Sequence, residues 1–176
     1  MTTLNRMYTK GLTRGTREYF EIPLIFAKLH WDLLEKEYPL MINIILTHSS
    51  FIVRKELASN PTIPEHIIEV LAKDNSEGVI YALLRTHQSK IPYNILLKLS
   101  EHPNDIIRGF VAEYGAIDDN LIMKLSKDNS SFVRFSLARR PNLDKKILED
   151  LTKDTDEDVR KTAVEKLELF KGELKW

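Results

Sequence analysis

One stretch of the chain decides its fold: Asp128-Asn-Ser-Ser-Phe-Val133-Arg134-Phe-Ser-Leu137-Ala138-Arg-Arg-Pro-Asn-Leu143. Four copies of the pattern to which it belongs fill residues 53 to 168, and their apolar residues recur at intervals of 26 or 28. The recurring positions form three series: Val53, Val79, Ile107, Val133 and Val159; Ile63, Ile91, Ile117 and Leu143; and Leu71, Leu99, Leu125 and Leu151. A period of this length is typical of repeat proteins, in which each unit buries its apolar face against the next.

Each copy predicts two helices joined by turns. A residue suited to a helix start precedes the first helix, at Pro64, Pro92, Asp118 and Asp144. A polar break such as residues 127–130 precedes the second helix, whose core face holds Val133, Leu137 and Ala138. Because helices this short are marginal alone, we expect them to stack in an all-α fold, an α-solenoid of about five helical hairpins. One copy departs from the period, since residues 85–90 contain two extra residues.

The two ends of the chain differ from the repeats. Residues 1–18 predict a flexible basic arm, and residues 19–176 predict a single repeat domain. An apolar face over residues 24–34 predicts one amphipathic capping helix, with Pro23 in its first turn and its end at Tyr38-Pro39. The apolar residues of the C-terminal tail, as far as Trp176, make the end repeats a candidate surface for self-association.

Composition excludes several classes of protein. The 26 basic and 26 acidic residues give a formal net charge of zero, so no global electrostatic attraction to nucleic acid or to a membrane is expected. The absence of cysteine excludes disulfides, thiolate zinc sites and iron–sulfur clusters. No apolar run is long enough for a membrane span, and the first residues lack the apolar stretch of a secretory signal. A cytoplasmic location is therefore expected.

Two motifs resemble those of a known family. Asp154-Thr-Asp-Glu-Asp-Val159-Arg160-Lys-Thr-Ala163 resembles the HEAT-repeat signature, in which an Asp is followed six places later by the Arg of a Val-Arg pair. Asp128 to Arg134 matches it too, and residues 53–74 are similar to the leucine-rich-repeat-variant motif, a HEAT-like relative. The resemblance covers roughly residues 40–168. It implies a HEAT-like solenoid whose functions are protein binding, scaffolding or nucleic-acid handling.

An arginine recurs at one position of the second helices. The row consists of Arg54, Arg108, Arg134 and Arg160, and Ile80 interrupts it. The resemblance implies a structural ladder in which these arginines pair with acids of the inter-helix turns, and Asp128 and Asp154 stand where such partners belong. His48 and His102 replace the acid before Arg54 and Arg108. The alternative is a phosphate-binding stripe. We favour the ladder, because a repeated spacing between Asp and Arg is best explained by repeated local pairing.

No motif for catalysis, a metal or a cofactor is evident. None of the five histidines forms the i, i+4 helical pair with a carboxylate that a metal site would show. No glycine-rich phosphate loop, nucleophile elbow or paired-carboxylate motif occurs. We therefore expect no catalytic residues, no metal and no cofactor.

The most suggestive surface lies on the second helices. The residue after each arginine position should point away from the core, with the residue four places later beside it. Two such pairs, Tyr81/Arg85 and Phe135/Arg139, combine residue types that are enriched at binding hot spots. The predicted partner-binding residues, on the concave face of the expected solenoid, are Tyr81, Arg85, Glu113, Tyr114, Phe135, Arg139 and Arg140. The alternative is that Tyr81 and Phe135 only pack beneath their neighbours.

These observations favour a non-catalytic adaptor or regulator that binds another protein through the second-helix face. A second hypothesis is nucleic-acid binding, as in HEAT-like DNA glycosylases, which zero net charge and Glu113 on the same face disfavour. A third hypothesis is a small-ligand or lyase-like subunit, for which the sequence offers no supporting motif.

Overall fold

The described part of the chain is entirely helical. The structure is a computed structural model that describes residues 17–171, with side chains from 21 to 169. These residues form twelve α-helices and no strand. The helices are α1 (Arg17–Phe26), α2 (Trp31–Glu37), α3 (Pro39–Leu46), α4 (Phe51–Ala58), α5 (Glu65–Leu71), α6 (Glu77–Thr86), α7 (Tyr93–Leu99), α8 (Asp105–Tyr114), α9 (Asp119–Leu125), α10 (Ser131–Arg139), α11 (Lys145–Leu151) and α12 (Glu157–Lys171). The predicted all-α class is confirmed over this range.

The chain divides into two compact units, one ending at His87 and the other beginning at Gln88. From α3 onward, first and second helices alternate: α3, α5, α7, α9 and α11 are first helices, and each contacts the second helix that follows it. In the first unit, α4 contacts both α1 and α6. In the second unit, α10 contacts both α8 and α12. Within each unit the second helices therefore lie against one another.

The three apolar series identified in the sequence form the core of the units. Every member of the three series is buried, and the members that begin each second helix are at most 2% exposed. The four turn residues expected at helix starts, Pro64, Pro92, Asp118 and Asp144, are the N-caps of α5, α7, α9 and α11. Each of these first helices has only seven residues. Their stability must come from this burial, since a helix of two turns is unstable in isolation.

The single capping helix predicted before residue 38 is two helices. Pro23 lies inside α1 rather than in a first turn, and the chain turns between α1 and α2. Side chains of the next repeat of the same unit form hydrogen bonds with backbone groups at this break. The Asn60 side chain donates to the Ala27 and Leu29 carbonyls, and the Trp31 N–H donates to the Thr62 hydroxyl. The sequence prediction failed here because these partners lie about thirty residues away.

Two predictions concern the ends of the chain, which lie largely outside the described residues. The basic arm predicted over residues 1–18 lies outside the described residues, except that Arg17 and Glu18 belong to α1. The tail from 172 to 176, which entered the prediction of self-association, also lies outside them. The single repeat domain and the self-association stay predictions.

A glycine lets two second helices approach closely in the second unit. Gly109 of α8 is buried. A methyl group at its Cα would stand 2.6 Å from Cε1 of Phe132 and 3.0 Å from the Ser136 hydroxyl, both on α10. The small residue thus provides the space in which the Phe132 ring lies.

We expect Gly109→Ala to lower the free energy of unfolding by about 1 to 2 kcal/mol, because overpacking outweighs the gain in helix propensity. In a Phe132→Ala background the same substitution should raise it by up to about 1 kcal/mol. Urea unfolding followed by circular dichroism measures both effects. Equal losses in the two backgrounds would show that Phe132 is not the obstructing group.

Candidate functional site

Three arginines of the second helices bind aspartates in the same bidentate way. Nε and Nη2 of Arg108 donate to the two carboxylate oxygens of Asp128, both at 2.8 Å. Arg134 binds Asp154 at 2.7 and 2.9 Å, and in the first unit Arg54 binds Asp74 at 2.6 and 3.0 Å. Each aspartate lies 20 residues after its arginine, in the turn of the following repeat. Paired donors that match a carboxylate are among the strongest hydrogen bonds in proteins.

The remaining guanidinium nitrogen binds the turn before its own helix. Nη1 of Arg108 donates to the His102 carbonyl at 2.8 Å, and Nη1 of Arg134 donates to the Asp128 carbonyl at 2.7 Å. Arg54 donates to the His48 carbonyl, and Arg160 to the Asp154 carbonyl at 2.8 Å. We call this arrangement the arginine clamp: one guanidinium of the set Arg54, Arg108 and Arg134, bound to the turn before its helix and to the aspartate of the next turn.

The clamp differs from the ladder inferred in the sequence, because the residue six places before the arginine supplies only its carbonyl. A histidine can therefore stand there. Nδ1 of His102 accepts from the Asn104 N–H at 3.1 Å, as the Asp128 carboxylate accepts from Ser130 at 2.9 Å. Asp74, a clamp residue that the sequence analysis missed, would have been found from its spacing of 20 after Arg54.

At the repeat where Ile80 interrupts the arginine row, the aspartate position has also changed. In the register of the sequence repeats, Ile80 occupies the arginine position, and His102 occupies the next aspartate position. At this repeat the sequence therefore lacks both the arginine and the aspartate that would form a clamp. Ile80 is 1% exposed, as a core residue is.

Ion pairing stabilises the charged forms of the clamp residues. Hydrogen bonds from Arg108 and Arg134 hold the pKa values of the Asp128 and Asp154 carboxyls below their usual range, against the opposing effect of burial. These two side chains are only 12% and 8% exposed. Three of the four arginines in the row therefore have their N–H groups directed at carboxylates and carbonyls instead of at solvent.

A second set of donors holds the opposite ends of the second helices. Nη1 of Arg140 donates to the carbonyls of Ala112 and Gly115 at 3.1 and 2.7 Å, where α8 ends. The Lys166 ammonium donates to the Arg139 and Arg140 carbonyls at 2.7 and 2.8 Å, where α10 ends. Burial lowers the pKa of both Arg140 and Lys166. Donors at these positions satisfy the carbonyls that a helix C-terminus leaves without partners.

The first unit has the same kind of donor. Asn60 binds the carbonyls that follow α1, and Nε2 of the buried His87 lies 3.2 Å from the Ala58 carbonyl at the end of α4. The sequence analysis missed this set because its members, Asn60, His87, Arg140 and Lys166, share no residue type. Arg140, predicted to bind a partner, has this structural contact.

Three of the predicted partner-binding residues meet on the second-helix face of the second unit. The Arg139 guanidinium lies 5.7 Å from the centre of the Phe135 ring and 3.3 Å from the Glu113 carboxylate. Arg139 is 52% exposed, whereas Glu113 is only 12% exposed. We call Glu113, Phe135 and Arg139 the aromatic–arginine cluster.

The other predicted residues lie elsewhere. Tyr114 and Arg140 line a small cavity of about 250 Å³, together with Glu113. Tyr81 is half-buried and Arg85 is exposed, both on α6 of the first unit. Three other residues directly follow an arginine of the row. Gly109 lies beneath Phe132, whereas Lys55 and Lys161 are exposed.

An open groove adjoins the cluster. It has a volume of about 380 Å³, and it is lined by Ser131, Phe132 and Phe135 of α10 and by two acids at the start of α12, Asp156 and Asp158. Phe132 is 39% exposed despite its contact with Gly109. Phe135 therefore belongs both to the cluster and to the groove.

No family model, curated protein or solved structure matches this chain. Among residues 21–169, whose side chains the structure describes, no group of three or more His, Asp or Glu side chains is arranged to hold a metal ion. Over residues 17–171, no helix has both the length and the apolar character needed to cross a membrane.

We expect Arg134→Met to lower the free energy of unfolding by about 3 kcal/mol, because it leaves Asp154 largely buried without its cation. The matched control is Arg85→Met, which removes an exposed arginine from α6 and should cost less than about 1 kcal/mol. Urea unfolding of both variants tests the clamp. Similar losses for the two variants would contradict its role.

The clamp also predicts the acid sensitivity of the fold. Since the pKa values of Asp128 and Asp154 are lowered by folding, their contribution is complete above the unfolded pKa of about 4 and is lost as pH falls through the lower folded values. The variant Asp128→Asn/Asp154→Asn should be less stable at neutral pH and lose less stability between about pH 5 and pH 2. The control Asp119→Asn/Asp150→Asn removes two exposed carboxylates. Parallel pH curves for the wild type and the clamp variant would refute the prediction.

Proposed function

We propose that the chain is a non-catalytic adaptor or regulator that binds another protein through the second-helix face of a HEAT-like α-solenoid. The proposed solenoid has five helical hairpins, from α3/α4 to α11/α12, and α1 and α2 precede them. The regular contacts among second helices within each unit support this arrangement. So does the recurrence of one arginine clamp in both units.

The observation that carries the proposal is the aromatic–arginine cluster. Arg139 is held by Glu113 and by the Phe135 ring, yet about half of its side chain is exposed. A side chain that is already positioned loses less conformational entropy when a partner binds. Arginine is also enriched among the residues that dominate binding energy, and phenylalanine is enriched at the centre of protein interfaces. The cluster therefore has both the composition and the preorganisation of an interaction hot spot.

The nucleic-acid alternative has less support. Arg54, Arg108 and Arg134 would be its main phosphate contacts, but each is bound to an aspartate. The formal net charge is zero, and nucleic-acid affinity depends on uncompensated positive charge. A protein partner fits the mixture of aromatic, basic and acidic groups around Phe135 better.

Site-specific photo-crosslinking tests the proposal. A photoreactive phenylalanine analogue placed at position 135 should capture a specific protein in the native host, whereas the same analogue at Tyr93, an exposed aromatic residue of the first helix α7, should not. Binding of the purified partner is then measured by calorimetry. Phe135→Ala should raise its Kd at least about tenfold with unchanged helix content, and Tyr93→Ala should have little effect. Equal crosslinking at the two positions, or an unchanged Kd for Phe135→Ala, would rule out this face.

A further inference from the structure

We propose that the groove between the N-terminal ends of α10 and α12 binds a basic segment of the partner, with an apolar or aromatic side chain on Phe132 and Phe135 and a Lys or Arg beside Asp156 and Asp158. This inference rests on the proposed function and specifies the chemistry of the partner. All the groove residues belong to the second unit.

The wall of the groove on α10 is apolar and accessible. Phe132 and Phe135 are three residues apart on one helix, so that their side chains are neighbours. Phe132 cannot retreat toward α8, because it already lies against Gly109. It remains 39% exposed. When another apolar group covers large apolar side chains that are held at the surface in this way, their removal from water stabilises the complex.

The opposite wall is acidic, and its two carboxylates form no ion pair with the residues that the structure describes. Neighbouring acids have partners: Asp154 is bound to Arg134, and Glu157 lies 2.7 Å from the Lys161 ammonium. By contrast, Asp156 and Asp158 have no ion-pair partner among the residues that the structure describes. Arg134 is close enough to interact electrostatically with Asp156, but its guanidinium is bound to Asp154.

The Asp156 carboxylate is fixed in place. It accepts hydrogen bonds from the backbone N–H groups of Val159 and Asp158, at 3.2 and 3.0 Å, and it is also hydrogen-bonded by Ser131. The bond from Val159 and the other hydrogen bonds lower the pKa of Asp156, against the effects of burial and of the neighbouring Asp154 charge. An acidic rim beside two phenylalanine rings is complementary to a segment that combines a cation with an apolar side chain, and it would repel an acidic segment.

Three labelled peptides and the full-length protein test the inference. The peptides share a Gly/Ser sequence and differ at the centre, which is Lys-Trp-Lys, Glu-Trp-Glu or Lys-Ser-Lys. Fluorescence anisotropy should give a Kd for Lys-Trp-Lys at least about tenfold below those of the other two. The affinity should fall as salt is raised, because part of it comes from exposed charges.

Variants of the acidic wall provide the decisive comparison. Asp156→Asn/Asp158→Asn should raise the Kd for Lys-Trp-Lys about tenfold while keeping an Asn that still caps α12. Asp158→Lys should reverse the preference toward Glu-Trp-Glu. The control Glu149→Gln/Asp150→Asn removes two charges from α11 and should change neither value.

Each alternative result has a defined meaning. Equal affinities for the Lys and Glu peptides, with loss of both in Phe135→Ala, would overturn the basic partner and leave the proposed function standing. No binding of any peptide up to about 1 mM would overturn the inference, and crosslinking at position 135 would then decide the proposed function separately. Binding that appears only after Arg6, Lys10 and Arg14 are changed to Ser would assign the groove to the chain's own N-terminal segment. Concentration-dependent dimerisation abolished by Asp158→Lys would assign it to a second copy, and either result overturns the proposal.

Discussion

The bond between one guanidinium and two successive inter-helix turns is the constraint on which the rest of the structure depends. In the second unit these bonds are continuous: Asp128 binds Arg108 through its carboxylate and Arg134 through its carbonyl, and Asp154 relates Arg134 to Arg160 in the same way. The first helices of this unit have only seven residues each, so their positions must be set by their neighbours. The clamp sets them by fixing the turn at which each following second helix begins.

The second helices are also held at their other ends. Arg140 and Lys166 donate to the carbonyls at the ends of α8 and α10, and in the first unit His87 does the same at the end of α4 and Asn60 after α1. Four residue types perform this one role, since a helix end needs only a donor within reach of its carbonyls. With both ends fixed, the outward side chains between them are presented by a rigid support, which is the arrangement that favours precise binding.

The distribution of charge follows from these structural bonds. The chain has equal numbers of acidic and basic residues, but three of the four arginines in the row are already bound to aspartates in the clamp. The second unit presents an ordered arginine beside Phe135, and Phe135 also lines the groove whose acidic residues are Asp156 and Asp158. Charges of both signs thus accompany Phe135, and a partner that covered it would be selected by its charge pattern as well as by its apolar surface.

Periodicity alone was enough to predict helices, their core residues and the caps of the first helices, because a helix buries every third or fourth residue and begins at residues that suit its free N–H groups. It also singled out the arginine row, and Phe135 with Arg139. The acid that binds each arginine, the break between α1 and α2, and the donors at the helix ends depend on groups 20 to 33 residues away. Those pairings follow from the distance between side chains in space, and the constant spacing of 20 between arginine and aspartate becomes a usable signal only once one such pair is known. Only the tertiary structure placed Phe132 over Gly109. A glycine in a sequence does not indicate which neighbouring group occupies the space where its side chain would be.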